Sequence, residues 1–271
     1  MPAVIESAQN KYLQLYRNLR KRSVRDELNL LPLEGVKLVG DVLARGVVPQ
    51  LIFVREDVDI ERLPFLLPLL GNVKIVRVAE KLFDRTAFTD SPQGIIAIAE
   101  KPSYTLADLF VDTAPLILVV DAVQDPGNLG TMLRSAVAAG AAGAVLLPGT
   151  VDSANPKTLR AAMGAHFVMP VVEAATAELL SELQLRRIPL VATAATATVA
   201  YDLFDWSMPA AVVIGNEGAG ISPLVAEAAD AWVAIPLAAA VESLNAAVAM
   251  SVVFFEAARQ RRTLLEIQKI F

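Results

Sequence analysis

The chain has 271 residues, with 24 Lys+Arg against 29 Asp+Glu, 55% hydrophobic residues and 20% charged ones, which is the profile of a mildly acidic globular protein of one or two domains. That balance excludes a polycationic nucleic-acid coat and a disordered chain. Zero cysteines and one histidine exclude a disulfide framework, thiolate–zinc sites, thiol nucleophiles and His-cluster metal sites, so any chemistry must use carboxylate, amide, hydroxyl, guanidinium or a bound cofactor.

The N-terminal MPAVIESAQNKYLQLYR has no basic segment followed by an apolar one, so no secretory signal is expected. The longest uncharged stretch, Ser135 to Val151, is broken by Gly140, Gly143, Pro148 and Gly149 and is too short for the ~18 residues of a membrane span. A soluble cytoplasmic protein is the expectation. Lys11, Arg17, Arg20, Lys21, Arg22 and Arg25 lie in a stretch with no acid until Asp26. A helix there, with Tyr12 and Tyr16 interleaved, would offer cations to phosphates and rings to bases, and a solvated amphipathic helix is the plainer alternative. After it come a helix from about Glu34 to Ala44 following Pro32, the strand Leu51–Val54, a helix around Ile60–Leu70, the strand Val73–Val78, a helix from Ala79 and the strand Ile95–Ile98. This predicts a small α/β domain over residues 1–105. The segment Lys101–Pro115 lacks a sustained period and reads as a linker centred on 106–114.

From residue 115 to 271 the runs LILVVD (116–121), AVLLP (144–148), PLVAT (189–193) and AVVIG (211–215) alternate with helical stretches. Short continuous apolar strands separated by helices predict a parallel sheet covered on both faces. The last helix is expected from Ser243 to about Arg262, apolar all round over LNAAVAMSVVFF. Such a helix needs more covering than one domain supplies, which predicts a homodimer.

Ligands of open α/β sheets bind beyond the carboxyl ends of the strands, and three such loops carry polar groups. In DAVQDPGNLGTMLRSA, Asn128 is placed to cap the next helix, and Arg134 lies on an otherwise small and apolar helix where a guanidinium needs an anionic partner. In VVIGNEGAGIS, Gly215, Gly218 and Gly220 permit close backbone approach beside Asn216 and Glu217. The order G-x-x-G-x-G is not a dinucleotide fingerprint, which leaves little for an oxidoreductase reading. In IPLAAAVESLNAAVAMS, Ser243 and Asn245 start the last helix, as cap and first-turn residues do.

Taken together, the motifs DPGNLGTMLRSA, VIGNEGAGIS and IPLAAAVESLNAAVAMS, in this order and spacing, resemble the SpoU (TrmH-type) branch of the SPOUT superfamily of RNA ribose 2′-O-methyltransferases. LPLEGVKLVGDVL and SPQGIIAIAE are similar to the ends of the substrate-binding domain that many members carry, a fold like that of ribosomal proteins. The resemblance implies an α/β fold whose C-terminal parallel sheet carries a deep trefoil knot, an exception to the usual unknotted chain. It implies S-adenosylmethionine held by main-chain atoms near Thr193, Gly215, Ile235 and Leu244, no metal, RNA as substrate and a homodimer. Arg134, Asn128, Glu217, Ser243 and Asn245 would form the catalytic set, with Lys11, Arg17, Arg20, Lys21, Arg22 and Arg25 meeting RNA. Because a guanidinium is a poor base, Arg134 is expected to bind the target phosphate and stabilise the developing alkoxide. Asn128, Ser243 and Asn245 would position the ribose and Arg134, with Glu217 fixing its loop. His166 in AAMGAHFVMPV is expected to be structural. Ala239 departs from a glycine usual in the third motif, and Pro32-Leu33-Glu34-Gly35 from a commoner valine- or phenylalanine-rich approach. Ribosomal RNA is the favoured substrate. A transfer RNA enzyme and a silent RNA-binding protein on the same scaffold are the competing readings, and the presence of all five polar motif residues argues against silence.

Overall fold

The computed structural model describes residues 4–69, 73–238 and 241–268. Ala239, and Leu70 at the end of an expected helix, lie outside the described residues. The chain divides into two compact units, one of residues 1–103 with 152–167 and one of 104–151 with 168–271.

The first unit opens with β1 (Val4–Ile5), α1 (Lys11–Asn18), α2 (Arg22–Leu28) and β2 (Leu30–Glu34). Two helices thus replace the one expected over 11–21. Asn10 accepts from the Tyr12 N–H at 3.0 Å to start α1, and Leu13, Tyr16 and Leu19 bury one face. Asn29, at φ 53°, ends α2, a left-handed position that asparagine tolerates. β2 is a strand that the sequence did not mark, and the helix expected from about Glu34 to Ala44 follows it with a start two residues later. β2 lies at the sheet edge, where a missing N–H costs no ladder bond, and Pro32 pairs with Ile98. There follow α3 (Val36–Ala44), β3 (Leu51–Arg55), β4 (Lys74–Val78), α4 (Glu80–Asp84) and β5 (Ile95–Glu100). The helix expected from Ile60 is instead two 3-10 turns, Ile60–Arg62 and Pro64–Leu69, since Pro64 and Pro68 remove the donors that an α-helix requires. The sheet order is β1-β4-β3-β5-β2, with β5 antiparallel to both neighbours.

In the second unit the expected linker contains a 3-10 helix, Leu106–Phe110, fastened by reciprocal bonds between Thr105 and Asp108, and its Leu106 and Leu109 are buried. Then come β6 (Leu116–Val120), α5 (Pro126–Ala138) and β7 (Gly143–Leu146). The next helix, α6 (Pro156–Ala162), falls in the segment that packs with the first unit. The second unit resumes with β8 (Val171–Glu173), α7 (Thr176–Arg186), β9 (Leu190–Thr193), β10 (Val199–Ala200), β11 (Ala210–Ile214), α8 (Pro223–Glu227), β12 (Ala231–Ala234) and α9 (Ala246–Gln268). All seven of its strands are parallel, in the order β10-β12-β9-β11-β6-β7-β8. β6 and β11 at its middle are buried along their whole length, as continuous apolar runs require. α9 starts three residues later than expected. It buries Ala247, Met250, Val253, Phe254 and Ala257, while Val248 and Phe255 on another face remain 49% and 48% exposed. No helix among the described residues is long and apolar enough to cross a membrane.

Segment 152–167 joins the first unit through Ala154 and Leu159, which pack with Leu31, Leu33 and Val39, and through an ion pair between Arg25 and Asp152. His166 is buried there, and neither ring nitrogen is hydrogen-bonded. Burial pushes its imidazole down to about 4; the Ser153 main chain, outside hydrogen-bonding geometry, and the Asp152 charge offset only part of that. Unfolding restores an ordinary imidazole near 6.5, so the unfolded chain takes up the proton first and stability falls as pH drops from about 6.5 to about 4. Linkage puts the loss at about 2 kcal/mol between pH 7.5 and 5. His166→Leu is expected to remove it, so that urea midpoints of variant and parent diverge in acid; parallel pH curves would show that the imidazole is not desolvated.

Candidate functional site

At the carboxyl end of β6 the chain enters a tight loop. Asp121 is buried, and its Oδ2 accepts from the Ser222 N–H at 2.7 Å. Ala122 adopts φ 57°, the left-handed region. Three neighbours hold it there: its N–H donates to Thr150 Oγ1 at 3.1 Å, and its carbonyl accepts from Asn216 Nδ2 at 2.8 Å and Gln124 Nε2 at 3.2 Å. Gln124 Nε2 also donates to the Gly149 carbonyl. Asp125, followed by Pro126, is the residue that caps α5, and its Oδ1 accepts from the Asn128 N–H at 2.8 Å. Asn128 therefore sits in the first turn rather than at the cap, with its side chain released for another task.

That task links the three loops. Asn128 Nδ2 donates to Glu217 Oε1 at 2.9 Å, and Asn128 Oδ1 accepts from Asn245 Nδ2 at 2.9 Å. Asn245 Oδ1 in turn accepts from the N–H groups of Ala247 and Val248 at 2.9 and 3.2 Å, capping α9. Glu217 Oε2 accepts from the Gln124 N–H at 3.3 Å. Partial burial would raise the Glu217 carboxyl, but the Asn128 amide and main-chain N–H groups around it outweigh that and leave it below the ordinary carboxylate range. Such a carboxylate serves as a fixed acceptor and not as a proton shuttle near neutral pH. Gly215 has its own constraint: a Cβ there would lie 2.4 Å from the Gly220 carbonyl carbon, so the hairpin joining Asn216 and Gly220 closes only over glycine.

Next to this network lies an apolar cavity of about 130 Å³. Thr193, Ile235 and Leu244, three of the four residues expected at a cofactor, line it together with Ser243. Gly215 is not among its walls and belongs to the hairpin. Thr193 Oγ1 donates to the Val213 carbonyl at 2.9 Å. Arg134 is exposed on α5 and makes no hydrogen bond or ion pair among the described residues. Its neighbour Ser135 accepts from Ser251 Oγ at 2.8 Å, fixing α5 against α9. Gln124 and Asp121 were missed in the sequence. Both stand in the first loop, where an acid directly after the apolar run of β6 and an amide just before the helix cap were the available signals.

The basic stretch near the N-terminus is redistributed. Arg25 is 1% exposed, donates to the Leu19 and Arg20 carbonyls at 2.7 and 2.8 Å and pairs with Asp152, so it is a core residue and not an RNA contact. Tyr16 is likewise buried, stacked on Phe88, and unavailable to bases. Arg22 pairs with Asp26 at 3.3 Å, and Arg17 donates to the Ala8 carbonyl at 2.6 Å. Arg20 lies over the Phe88 ring at 5.0 Å. Lys11, Arg20 and Lys21 keep exposed side chains. Lys74 of β4 joins them: its Nζ donates to Tyr12 Oη at 2.9 Å and lies 4.0 Å from that ring, with Lys11 5.1 Å away. The Lys74 hydrogen bond, helped by the Lys11 charge, lowers the Tyr12 phenol.

Residues 115–255 match the SpoU rRNA Methylase family, and residues 10–97 match the MRM3-like substrate binding domain. The chain is 36% identical over 251 residues to the 23S rRNA (guanosine(2553)-2′-O)-methyltransferase RlmP of Bacillus subtilis, covering 93% of this chain and 97% of that one. It is 32% identical over 302 residues to the mitochondrial rRNA methyltransferase 3 of Homo sapiens, covering 90% and 71%. Among solved structures, the AdoMet-bound rRNA methyltransferase from Sinorhizobium meliloti is similar with a TM-score of 0.82 and 32% identity over 95% of this chain and 97% of that one.

The left-handed Ala122 stores strain that glycine would not, about 1–2 kcal/mol for a residue with a Cβ, offset by roughly 0.5–1 kcal/mol of extra chain entropy in glycine. Ala122→Gly is therefore expected to raise unfolding stability by roughly 0.5–1 kcal/mol, read as a higher urea midpoint. A lower midpoint would mean that the methyl group packing beside Gly149 matters more than the strain.

Proposed function

The chain belongs to the SpoU rRNA methylase family, and from that premise we propose that it methylates a ribose 2′-hydroxyl of ribosomal RNA with S-adenosylmethionine as donor. The observation that carries this reading is the side-chain bridge from Glu217 through Asn128 to Asn245, which binds the three motif loops into one rim beside an apolar pocket. The pocket suits the donor: small and aliphatic walls at Ala194, Ala195, Val233 and Ile235 fit a flat heterocycle, with Thr193, Leu244 and Ser243 closing its edge. When bound, S-adenosylmethionine supplies an electrophilic methyl group on a cationic sulfur. The known donor chemistry demands no metal, thiolate or imidazole from the protein.

The protein's task is to present the hydroxyl and accommodate charge as its proton leaves. Arg134, exposed and without an intramolecular partner among the described residues, is suited to bind the target phosphate and stabilise the forming oxyanion. His166 is buried in the other unit and takes no part. Asn128 and Asn245 spend their carbonyl oxygens and one amide N–H each on the bridge, so they act chiefly by holding α5 and α9 in register. Glu217 fixes the second loop, and Ser243 at the pocket edge is the motif residue left to meet the ribose.

Three further features belong to this reading. The second unit carries the trefoil knot, its C-terminal segment passing through a loop. Two copies pair through the open face of α9, where Val248 and Phe255 lie exposed. The first unit collects RNA in the cytoplasm through Lys11, Tyr12, Lys21, Lys74 and Arg20, with Arg17 and Arg22 at the margin.

Methylation of total RNA with labelled donor and mapping of the modified nucleotide tests the function; label in transfer RNA alone would redirect the substrate. Arg134→Lys, which keeps charge but loses the planar fork, is expected to lower single-turnover methylation about 10²-fold or more while donor affinity by calorimetry stays unchanged. Full activity in that variant sinks the role given to Arg134. RNA affinity is expected to fall with salt, and Lys11→Ala or Lys74→Ala should each reduce the log–log slope by about 0.7–0.9. An unchanged slope in both variants would remove that patch from the RNA contact.

A further inference from the structure

We propose that a pocket walled in part by Val241 and Glu242, ahead of α9, takes the base of the target nucleotide, and that Glu242 reads guanine there; this rests on the ribose-methylation reading above. A cavity of about 320 Å³ lies against the donor pocket and shares Ala195, Ile235 and Leu237 with it. The rest of its wall is small or apolar except for Thr198 and Glu242. Glu242 is the single ionisable group on that wall, is exposed, and makes no hydrogen bond or ion pair among the described residues. Nearby motif carboxylates are all engaged by the fold, Asp121 on the Ser222 N–H and Glu217 on Asn128 and Gln124. Glu242 thus remains as an acceptor facing space that the fold does not fill.

Covalent geometry puts the base there. The 2′-oxygen and the base are attached to adjacent ribose carbons, so an oxygen aimed at the donor's methyl group leaves its base in the space adjoining the donor. Sequence-specific RNA recognition targets loops and bulges, whose unstacked bases can be hydrogen-bonded on their Watson–Crick edges. An ionised carboxylate only accepts hydrogen bonds. Guanine presents two neighbouring donors on that edge, N1–H and the 2-amino group, matching the two carboxylate oxygens. Adenine and cytosine place an acceptor beside their amino group, and uracil offers one donor flanked by two carbonyls. The match is charge-assisted and bidentate, the strong class of such contacts.

The test is single-turnover methylation of an rRNA fragment carrying the mapped target nucleotide as guanosine, inosine or adenosine, by the parent and by Glu242→Gln, with donor affinity measured by calorimetry. Inosine lacks only the 2-amino group. The parent is expected to prefer guanosine over inosine about 10- to 100-fold, and Glu242→Gln to lose most of that preference while binding the donor as before. An unchanged guanosine-to-inosine ratio in the variant overturns the assignment, as does a mapped target that is not guanosine. Weaker donor binding with the ratio retained also overturns it, because the carboxylate then serves the donor's ammonium group. Absence of methylation by the parent on any RNA would overturn the ribose-methylation reading itself, a failure distinct from a lost base preference.

Discussion

The rim of the seven-stranded sheet depends on one ionised carboxylate. Glu217 can only accept hydrogen bonds, so the Asn128 amide must turn its nitrogen toward it. Asn128 Oδ1 is then fixed as acceptor for Asn245 Nδ2, and Asn245 Oδ1 is fixed toward the first N–H groups of α9. Each amide has one orientation that satisfies the chain, and the carboxylate sets it. The network therefore specifies structure as well as stabilising it, since a single wrong flip leaves donor facing donor. It also explains why α9 starts at Ala246 rather than at Ser243. Asn245 is held at the cap, and Ser243 and Leu244 are left in the loop as walls of the pocket.

Around this chain the backbone is drawn tight. Gly215 admits no side chain because Gly220 closes over it, and Ala122 is held in a left-handed turn by bonds to Thr150, Asn216 and Gln124. Strained conformations persist where surrounding contacts over-determine them. Here those contacts come from Ala122's own loop and from the loops after β7 and β11, so the strain is tied to the meeting of the first and second motif loops. A site built this way places main-chain groups and small side chains around a ligand, which accounts for a pocket walled mostly by alanine, valine, leucine and isoleucine.

The sequence made the second unit more legible than the first. Its apolar runs were long enough to mark β6, β7, β9 and β11, and each motif loop follows a strand or begins a helix, so Asn128, Glu217 and Asn245 were recognisable before their mutual bonds were. Their division of labour was not, because which of Asp125 and Asn128 caps α5 depends on Glu217, 89 residues from Asn128. The two-residue β10 and three-residue β8 are too short for any period to reveal. In the first unit, Pro32 hid an edge strand just ahead of a helix that the sequence did show. The fate of Arg25 was set by Asp152, 127 residues away, and a run of cations read as one face proved to be part core and part surface. Lys74 escaped notice because it reaches Tyr12 from a different strand.

Those reassignments sharpen the charge problem that the composition poses. The unit of residues 104–151 and 168–271 holds 7 basic and 15 acidic groups, and the other holds 17 and 14. Within the acidic unit, Arg186 is paired with Glu182, Arg259 with Glu256, and Arg261 is spent on the carbonyls of Ala114, Trp206 and Met208. A polyanion gains little from approaching such a surface unguided, and the free guanidinium of Arg134 is worth most where few other cations compete for phosphate. If RNA is the substrate as proposed, that acidity would act as a filter. On the proposed reading, non-specific RNA would be repelled from the motif rim, and the cations of the first unit would supply the affinity that Arg134 alone does not. Affinity and chemistry would then fall to different parts of the chain, which would let a net-negative protein work on RNA and keep selectivity from being swamped by charge.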